Sequence, residues 1–381
     1  MIHDYMDTIN AIKLKRLELF SIQCRHIQKE REKEAMKAAL LNEPGNLRIQ
    51  DVPDPECPKD GVVVQVYACG LCSADAKMVS QGHPALRYPR IPGHEVTGII
   101  AESTRPELKA GLRVQVSPGL KCGQCHYCLR GDDHQCFARE IFGFSRNGGF
   151  AQFLAVPLAG AIHGSVHPLP DSLGIVEGTL TEPLACCINA QEKLSLKQSD
   201  RILIIGGGPL GLLHVLAAKT KNLDLIMLSD PKATRRQIAS EFGVDFTLHP
   251  SSPDFADLIG SMTKDHGLDA VILACPEAVV DETLLSLMAR GGRVSVFSGP
   301  DRSWATKQVP MSRIHYMELE ISGAYGCRCR DNKQALEVLS SPPFPLERLI
   351  EKTIRFNELE QGLGAVSQRA SLKTVLEVDH V

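Results

Sequence analysis

Two rhythms of apolar and polar positions divide the chain. From Met36 the apolar residues fall in short runs, VVVQVYA at 62–68 and GLRVQVSP at 111–118, punctuated by proline and glycine. Brief β-rich runs between turn residues predict strands, and their succession predicts a twisted antiparallel β domain over residues 36–183. From about Leu184 the rhythm changes. RILIIGG, LDLIMLSD, LDAVILAC and GGRVSVFSG are separated by amphipathic segments. Strands alternating with helices predict a parallel sheet covered on both faces, over residues 184–324.

The first 35 residues follow neither rhythm. Ile2, Tyr5, Ile9 and Ile12, then Phe20, Cys24 and Ile27, recur at helix-like spacing ahead of the charged QKEREKEA. This predicts a surface or partner-seeking helix, with a poorly ordered extension as the alternative.

At 381 residues, with 43% apolar and 23% charged positions, the chain has room for two domains with a core each. A formal net charge of −3 gives no electrostatic reason to bind nucleic acid or an anionic membrane. The apolar run over residues 202–218 is broken by glycine, proline and histidine, and no signal-peptide pattern opens the chain. The expected compartment is the cytoplasm. The cysteines agree with that reading. There are 13, an odd number with four tightly clustered, in a chain far longer than disulfide-stapled domains usually are. Reduced thiols and metal ligands are expected. Cys24, Cys57, Cys69, Cys275, Cys327 and Cys329 show no partner pattern and read as small apolar residues.

Cys122, Cys125, Cys128 and Cys136, in CGQCHYC and just beyond it, place four thiols at spacings that can close a tetrahedron around zinc. A closed four-thiolate shell leaves no open position, so that metal is expected to be structural. An iron–sulfur cluster or a redox-active C-x-x-C pair are the alternatives, the latter lacking the βαβ context it needs.

In IIGGGPLG, Gly206, Gly208 and Gly211 form G-x-G-x-x-G between an apolar strand and the helix-like LLHVLAAK. Such a turn brings backbone N–H groups and a helix N-terminus against a pyrophosphate. Asp230 ends the next strand about 20 residues on, placed for the adenosine ribose hydroxyls. Its charge repels a 2′-phosphate and favours NAD, while Lys232, Arg235 and Arg236 nearby keep NADP open. Gly206, Gly208, Leu210, Gly211, Asp230 and Arg235 make up the expected cofactor-binding set.

Cys72 and His94 with one carboxylate would give zinc three ligands and an open fourth position, which is a Lewis-acid site. Two carboxylates compete for the third place, Glu95 beside His94 and Glu182 in LTEPLACC.

Seven motifs in order carry a resemblance over nearly all of the chain from Met36: CGLCSAD, PGHEVTG, the lobe from Cys122 to Cys136, NGGFAQF, TEPLACC, GGGPLG with Asp230, and SLKTVLEV. The sequence resembles the zinc-containing medium-chain dehydrogenases of the alcohol, polyol and threonine type. The resemblance implies an α/β protein: a GroES-like, β-rich catalytic domain plus a Rossmann doubly wound parallel sheet inserted in it, with residues 325–381 returning to the catalytic domain. It also implies one catalytic and one structural zinc, hydride transfer between an alcohol carbon and nicotinamide, and a homodimer or homotetramer. The glutamate in TEPL resembles the sorbitol-type enzymes. Asp75 matches the family carboxylate that holds the ring N–H of the metal-bound His94.

The chain also departs from the family pattern. Ala74 stands where a relay serine or threonine is usual, with Ser73 one position early. Lys77 stands where a terminal relay histidine is common, and reads equally as a surface lysine. Arg328, in GAYGCRCR, is a substitute in shifted register for a substrate-side arginine. Asp75, Lys77 and Glu182 are thus the expected catalytic group. The expected function is NAD-dependent oxidation of a small polar secondary alcohol. A threonine-type or other amino alcohol dehydrogenase is the alternative, and a zinc-stabilised nucleotide-binding or redox-sensing protein without turnover is the alternative of another class.

Overall fold

The computed structural model describes residues 35–157, 164–299 and 308–380. The helical spacing expected ahead of these residues lies outside them. Two sheets dominate. The first joins Ile350–Ile354, Lys373–Glu377, Gly61–Gly70, Glu95–Ser103, Arg113–Val116 and Val166–Pro168 in that order, with Phe153–Pro157 also paired to Gly61–Gly70. Its pairings are antiparallel except the parallel pair Ile350–Ile354 and Lys373–Glu377. The central strand reads GVVVQVYACG, and its valines 62, 64 and 66 are fully buried with Val96, Ile100 and Val114. Each such side chain contributes about 1.5–3 kcal/mol on burial, so this core fixes which residues the strand ends present.

The second sheet is parallel throughout, in the order Phe246–Leu248, Leu225–Ser229, Arg201–Ile205, Leu268–Leu273, Met288–Val296, Glu320–Gly323. One face is covered by the helices Thr181–Lys193, Pro209–Lys219 and Cys329–Ser340, which bury Leu184, Ile188, Leu216 and Leu336 against it. The other face packs Ile259, Leu284 and Leu285 on Leu203, Met227 and Val271. Strand order reverses between Arg201–Ile205 and Leu268–Leu273, which opens a crevice at their C-terminal ends.

Two strands of the parallel sheet escaped the sequence pattern. Phe246–Leu248 and Glu320–Gly323 are short edge strands with exposed positions, so they carry no apolar run. The strand expected in GGRVSVFSG begins earlier, at Met288, and takes both glycines into its interior. No helix among the described residues is long and apolar enough to cross a membrane.

Candidate active site and metal centres

Cys72 caps the helix Ser73–Gln81, its sulfur accepting the Ala74 N–H at 3.5 Å. Asp75, three residues into the cap, is fully buried and collects three donors. Oδ2 accepts the Cys72 N–H at 3.0 Å, while Oδ1 accepts the Gly93 N–H at 3.3 Å and lies 3.1 Å from His94 Nδ1. With a carboxylate on Nδ1, the proton sits there and the Nε2 lone pair is free for a metal. Burial pulls the His94 imidazole down, but the charge and hydrogen bond of Asp75 push it well above the ordinary range, with Cys72 adding to the rise. Glu95 opens its strand one residue on, buried like His94. One ligand atom each from Cys72, His94 and Glu95 lies within 4.8 Å of the others. Sulfur, imidazole nitrogen and carboxylate are a three-ligand donor set that fits zinc with a fourth position open.

Sequence reasoning missed Lys373. It is buried, ion-pairs with Glu95, and donates to the Leu71 carbonyl at 3.0 Å. Burial pulls the amine down, but Glu95 and Cys72 push it up beyond its usual range. The motif SLKTVLEV contained this residue, and a lysine flanked by buried strand residues was the available signal.

Glu182 is buried in the first turn of Thr181–Lys193. Its ligand atom groups with Cys186 and Cys327, while Glu95 is the carboxylate that groups with Cys72 and His94. Burial pushes the Glu182 carboxyl up, against the pull of His94, with the charge of Glu95 adding to the rise. Lys77 is exposed, and the structure does not bring it to this group. Arg328 does not turn toward the cleft either. It is 5% exposed, and its guanidinium is held by Asp331 at 2.8 Å and by Glu192 at 2.5 Å, so it serves the fold as a buried ion pair.

The four lobe cysteines also converge, their sulfurs all within 4.8 Å. Three separations are 3.5, 3.6 and 4.0 Å. Zn–S bonds of about 2.3 Å require a tetrahedral S···S edge of about 3.8 Å, so the fit is close. Backbone N–H groups, with neighbouring thiols, hold Cys125 down to about 6, whereas burial and the Cys125 contact push Cys128 up to about 12. Four sulfurs this close cannot all ionise without a cation among them. Lys121 ties the lobe to the rest of the chain through Asp133 at 3.1 Å and Cys329 at 2.6 Å.

In the crevice of the parallel sheet, Gly206 has φ +111°, and a Cβ on Gly211 would stand 1.8 Å from the Gly206 carbonyl oxygen. Only glycine allows the helix Pro209–Lys219 to start this close to the strand. Gly208 is its N-cap, no side chain caps it, and Leu210 lies half-buried in its first turn. That uncapped end fits a pyrophosphate. Asp230, buried at the next strand end, accepts the Gly207 N–H at 2.7 Å and the Lys232 N–H at 2.8 Å. The Arg235 guanidinium is 3.7 Å away, but Arg235 and Lys232 both donate to the Arg369 carbonyl.

Comparison with known proteins agrees with this geometry. Residues 58–171 match the alcohol dehydrogenase GroES-like domain, and residues 209–341 match the zinc-binding dehydrogenase domain. Sorbitol dehydrogenase of Bacillus subtilis (strain 168) is 29% identical over 296 residues, 76% of this chain and 82% of that protein. L-threonine 3-dehydrogenase of Streptomyces avermitilis is 28% identical over 351 residues, 90% of this chain and 99% of that protein. A solved structure from Sinorhizobium meliloti 1021, described as a zinc-binding dehydrogenase and bound to NADP, superposes with a TM-score of 0.81 at 26% identity, covering 90% of this chain and 99% of that one. The chain belongs to the zinc-containing medium-chain dehydrogenases and is an alcohol dehydrogenase, with zinc and a nicotinamide dinucleotide as cofactors.

Proposed function

We propose that the chain oxidises a small, polar secondary alcohol of polyol type, with NAD as hydride acceptor. The observation that carries this reading is the convergence of Cys72, His94 and Glu95 with Asp75 behind the imidazole. These three residues would hold the catalytic zinc, and Cys122, Cys125, Cys128 and Cys136 the structural one. Zinc bound there supplies Lewis acidity that lowers the pKa of an alcohol hydroxyl, and the dinucleotide accepts the hydride.

The chain's own residues do the rest. Asp75 keeps the His94 proton on Nδ1, and Lys373 fixes the Glu95 carboxylate. Glu182, a buried carboxyl raised by its surroundings, takes the hydroxyl proton at its Oε and passes it to solvent. Gly206, Gly208, Leu210 and Gly211 receive the pyrophosphate, and Asp230 the ribose. The NAD preference rests on Asp230 carrying a negative charge while Lys232 and Arg235 are engaged with Arg369. The polyol class rests on the sorbitol-type relative and on the glutamate in TEPL. A homo-oligomer is part of the same proposal. The strand Glu320–Gly323 is a sheet edge, with Met311, Tyr316 and Ile321 exposed on or near it, and sedimentation of the purified chain tests this.

An absorbance screen for NADH and NADPH over polyols, amino alcohols and sugar acids tests the function. Turnover of polyols with NAD is expected. Turnover of L-threonine alone would replace the substrate class, and dinucleotide binding without any turnover would replace the enzyme by a nucleotide-binding protein.

A further inference from the structure

A third set of metal-ligating side chains lies beside the proposed catalytic centre. Glu182 and Cys186 stand one turn apart on Thr181–Lys193, so their side chains share a face. Cys327 meets them from the segment ahead of Cys329–Ser340, and one ligand atom of each residue lies within 4.8 Å of the other two. Cys186 Sγ is 3.4 Å from Glu182 Oε1. Zn–S of about 2.3 Å and Zn–O of about 2.1 Å place a tetrahedral S···O edge at about 3.6 Å, so the spacing needs little adjustment.

The hydrogen bonds of this group are short of donors. Asn332, fully buried, donates to Cys327 Sγ at 3.2 Å, so that sulfur already acts as an acceptor. The hydrogen bond that Glu182 accepts comes from the thiol of Cys186, a weak donor, while Lys373 is engaged by Glu95. That thiol is a weak partner for a buried carboxylate, whose compensation otherwise comes from the charges of His94 and Lys373. A thiophilic cation would serve all three acceptors at once, and two sulfurs with one oxygen select zinc or cadmium over magnesium or calcium. Cys186 and Cys327 are only partly buried, which leaves a way in.

We propose that Glu182, Cys186 and Cys327 form a further ligand set for a thiophilic divalent cation, and that filling it slows turnover by occupying the Glu182 carboxylate. Binding displaces the two thiol protons to solvent, and no electron changes hands. The inhibitory part rests on the proposed proton-holding role of Glu182, whereas the binding part stands on the donor set alone.

The test titrates Cd²⁺ into protein already loaded with zinc. It follows thiolate-to-cadmium ultraviolet absorption, both metal contents by elemental analysis, and alcohol turnover. The expected result is about one cadmium gained per chain with no zinc lost, and turnover falling in step. Cys186→Ser with Cys327→Ser should keep the zinc and the basal turnover but lose the cadmium step and the inhibition. The single variants serve if the double variant does not fold. Cadmium gained only as zinc is lost, or uptake unchanged in the serine variants, would overturn the proposal. So would a Cys186–Cys327 disulfide, read as two missing thiols in the denatured chain, without cadmium uptake. Cadmium uptake as expected in a protein that turns over no alcohol would leave the ligand set standing and sink the polyol reading instead.

Discussion

Replacing Asp75 tests the proposed catalytic centre through a residue that touches neither metal nor substrate. Its carboxylate receives three donors: Cys72 N–H on one oxygen, Gly93 N–H and His94 Nδ1–H on the other. An asparagine side chain offers one oxygen and one NH₂ group, so Asp75→Asn satisfies at most two of the three. The arrangement that sacrifices least keeps the oxygen toward Gly93 and His94 and turns the NH₂ group on Cys72. The imidazole then keeps its tautomer but loses the negative charge that makes it a better ligand, and the helix keeps the Cys72 sulfur cap but loses the reciprocal bond from the Cys72 N–H. Asp75→Ala removes the anchor altogether and lets the Nδ1 proton move to Nε2. Removing such a partner commonly weakens metal affinity by about 10- to 100-fold, or about 1.4–2.8 kcal/mol. Asp75→Asn is expected near the lower figure and Asp75→Ala near the upper. Zinc competition against a chromophoric chelator reads this directly, because the four-cysteine lobe supplies a second zinc as an internal control. Affinity unchanged in both variants would refute the reasoning, as would equal loss of both zincs, which would mean that Asp75 acts only on the fold.

Cys125→Ala should lose the lobe zinc, retain the other and unfold at lower temperature, because structural zinc contributes folding free energy; iron with visible absorption in the wild-type protein would contradict the zinc assignment. Asp230→Ala should narrow the ratio of kcat/KM for NAD over NADP by about tenfold, and a wild-type preference for NADP would show that the basic residues prevail. Lys77→Met should leave the pH–rate profile unchanged, since the side chain is exposed; a depressed acidic limb would restore it to the proton path. Burial holds His214 down to about 3, so the unfolded chain takes up its proton first as pH falls. Its contribution is complete above about pH 6.5 and is lost toward pH 3 at about 1.4 kcal/mol per unit, so urea unfolding at pH 7 and pH 5 should differ by about 2 kcal/mol less in His214→Asn.

What the sequence made legible was whatever depends on short-range spacing. The strand, glycine turn and Asp230 lie within one βαβ unit, and the four lobe cysteines within fifteen positions, so local pattern carried their geometry. The edge strands Phe246–Leu248 and Glu320–Gly323 were not legible, because an edge buries too little to impose a pattern. Lys373 and Cys327 were missed for another reason. Each meets its partner across a long stretch of chain, Lys373 with Glu95 and Cys327 with Glu182 and Cys186, and no local spacing encodes such a meeting. The same holds for the rival carboxylates. Both looked equivalent beside Cys72 and His94, and strand register separated them by seating Glu95 opposite Gly70, two residues before Cys72.

Helix geometry decides what the departures at Ala74 and Lys77 mean. An α-helix turns about 100° per residue, so positions two apart point about 200° away from each other. Asp75 is the fixed point, fully buried beneath His94, with Ala76 and Met78 also inward. Ser73 and Lys77, each two positions from Asp75, must then face outward, and both are exposed. Position 74 is half-buried between the two faces, and alanine brings no proton carrier there. Ser73 cannot replace it by being one residue early, because one residue is more than a quarter turn. The proton-holding role proposed above falls to a carboxyl on another helix, the buried Glu182, which accepts from the Cys186 thiol.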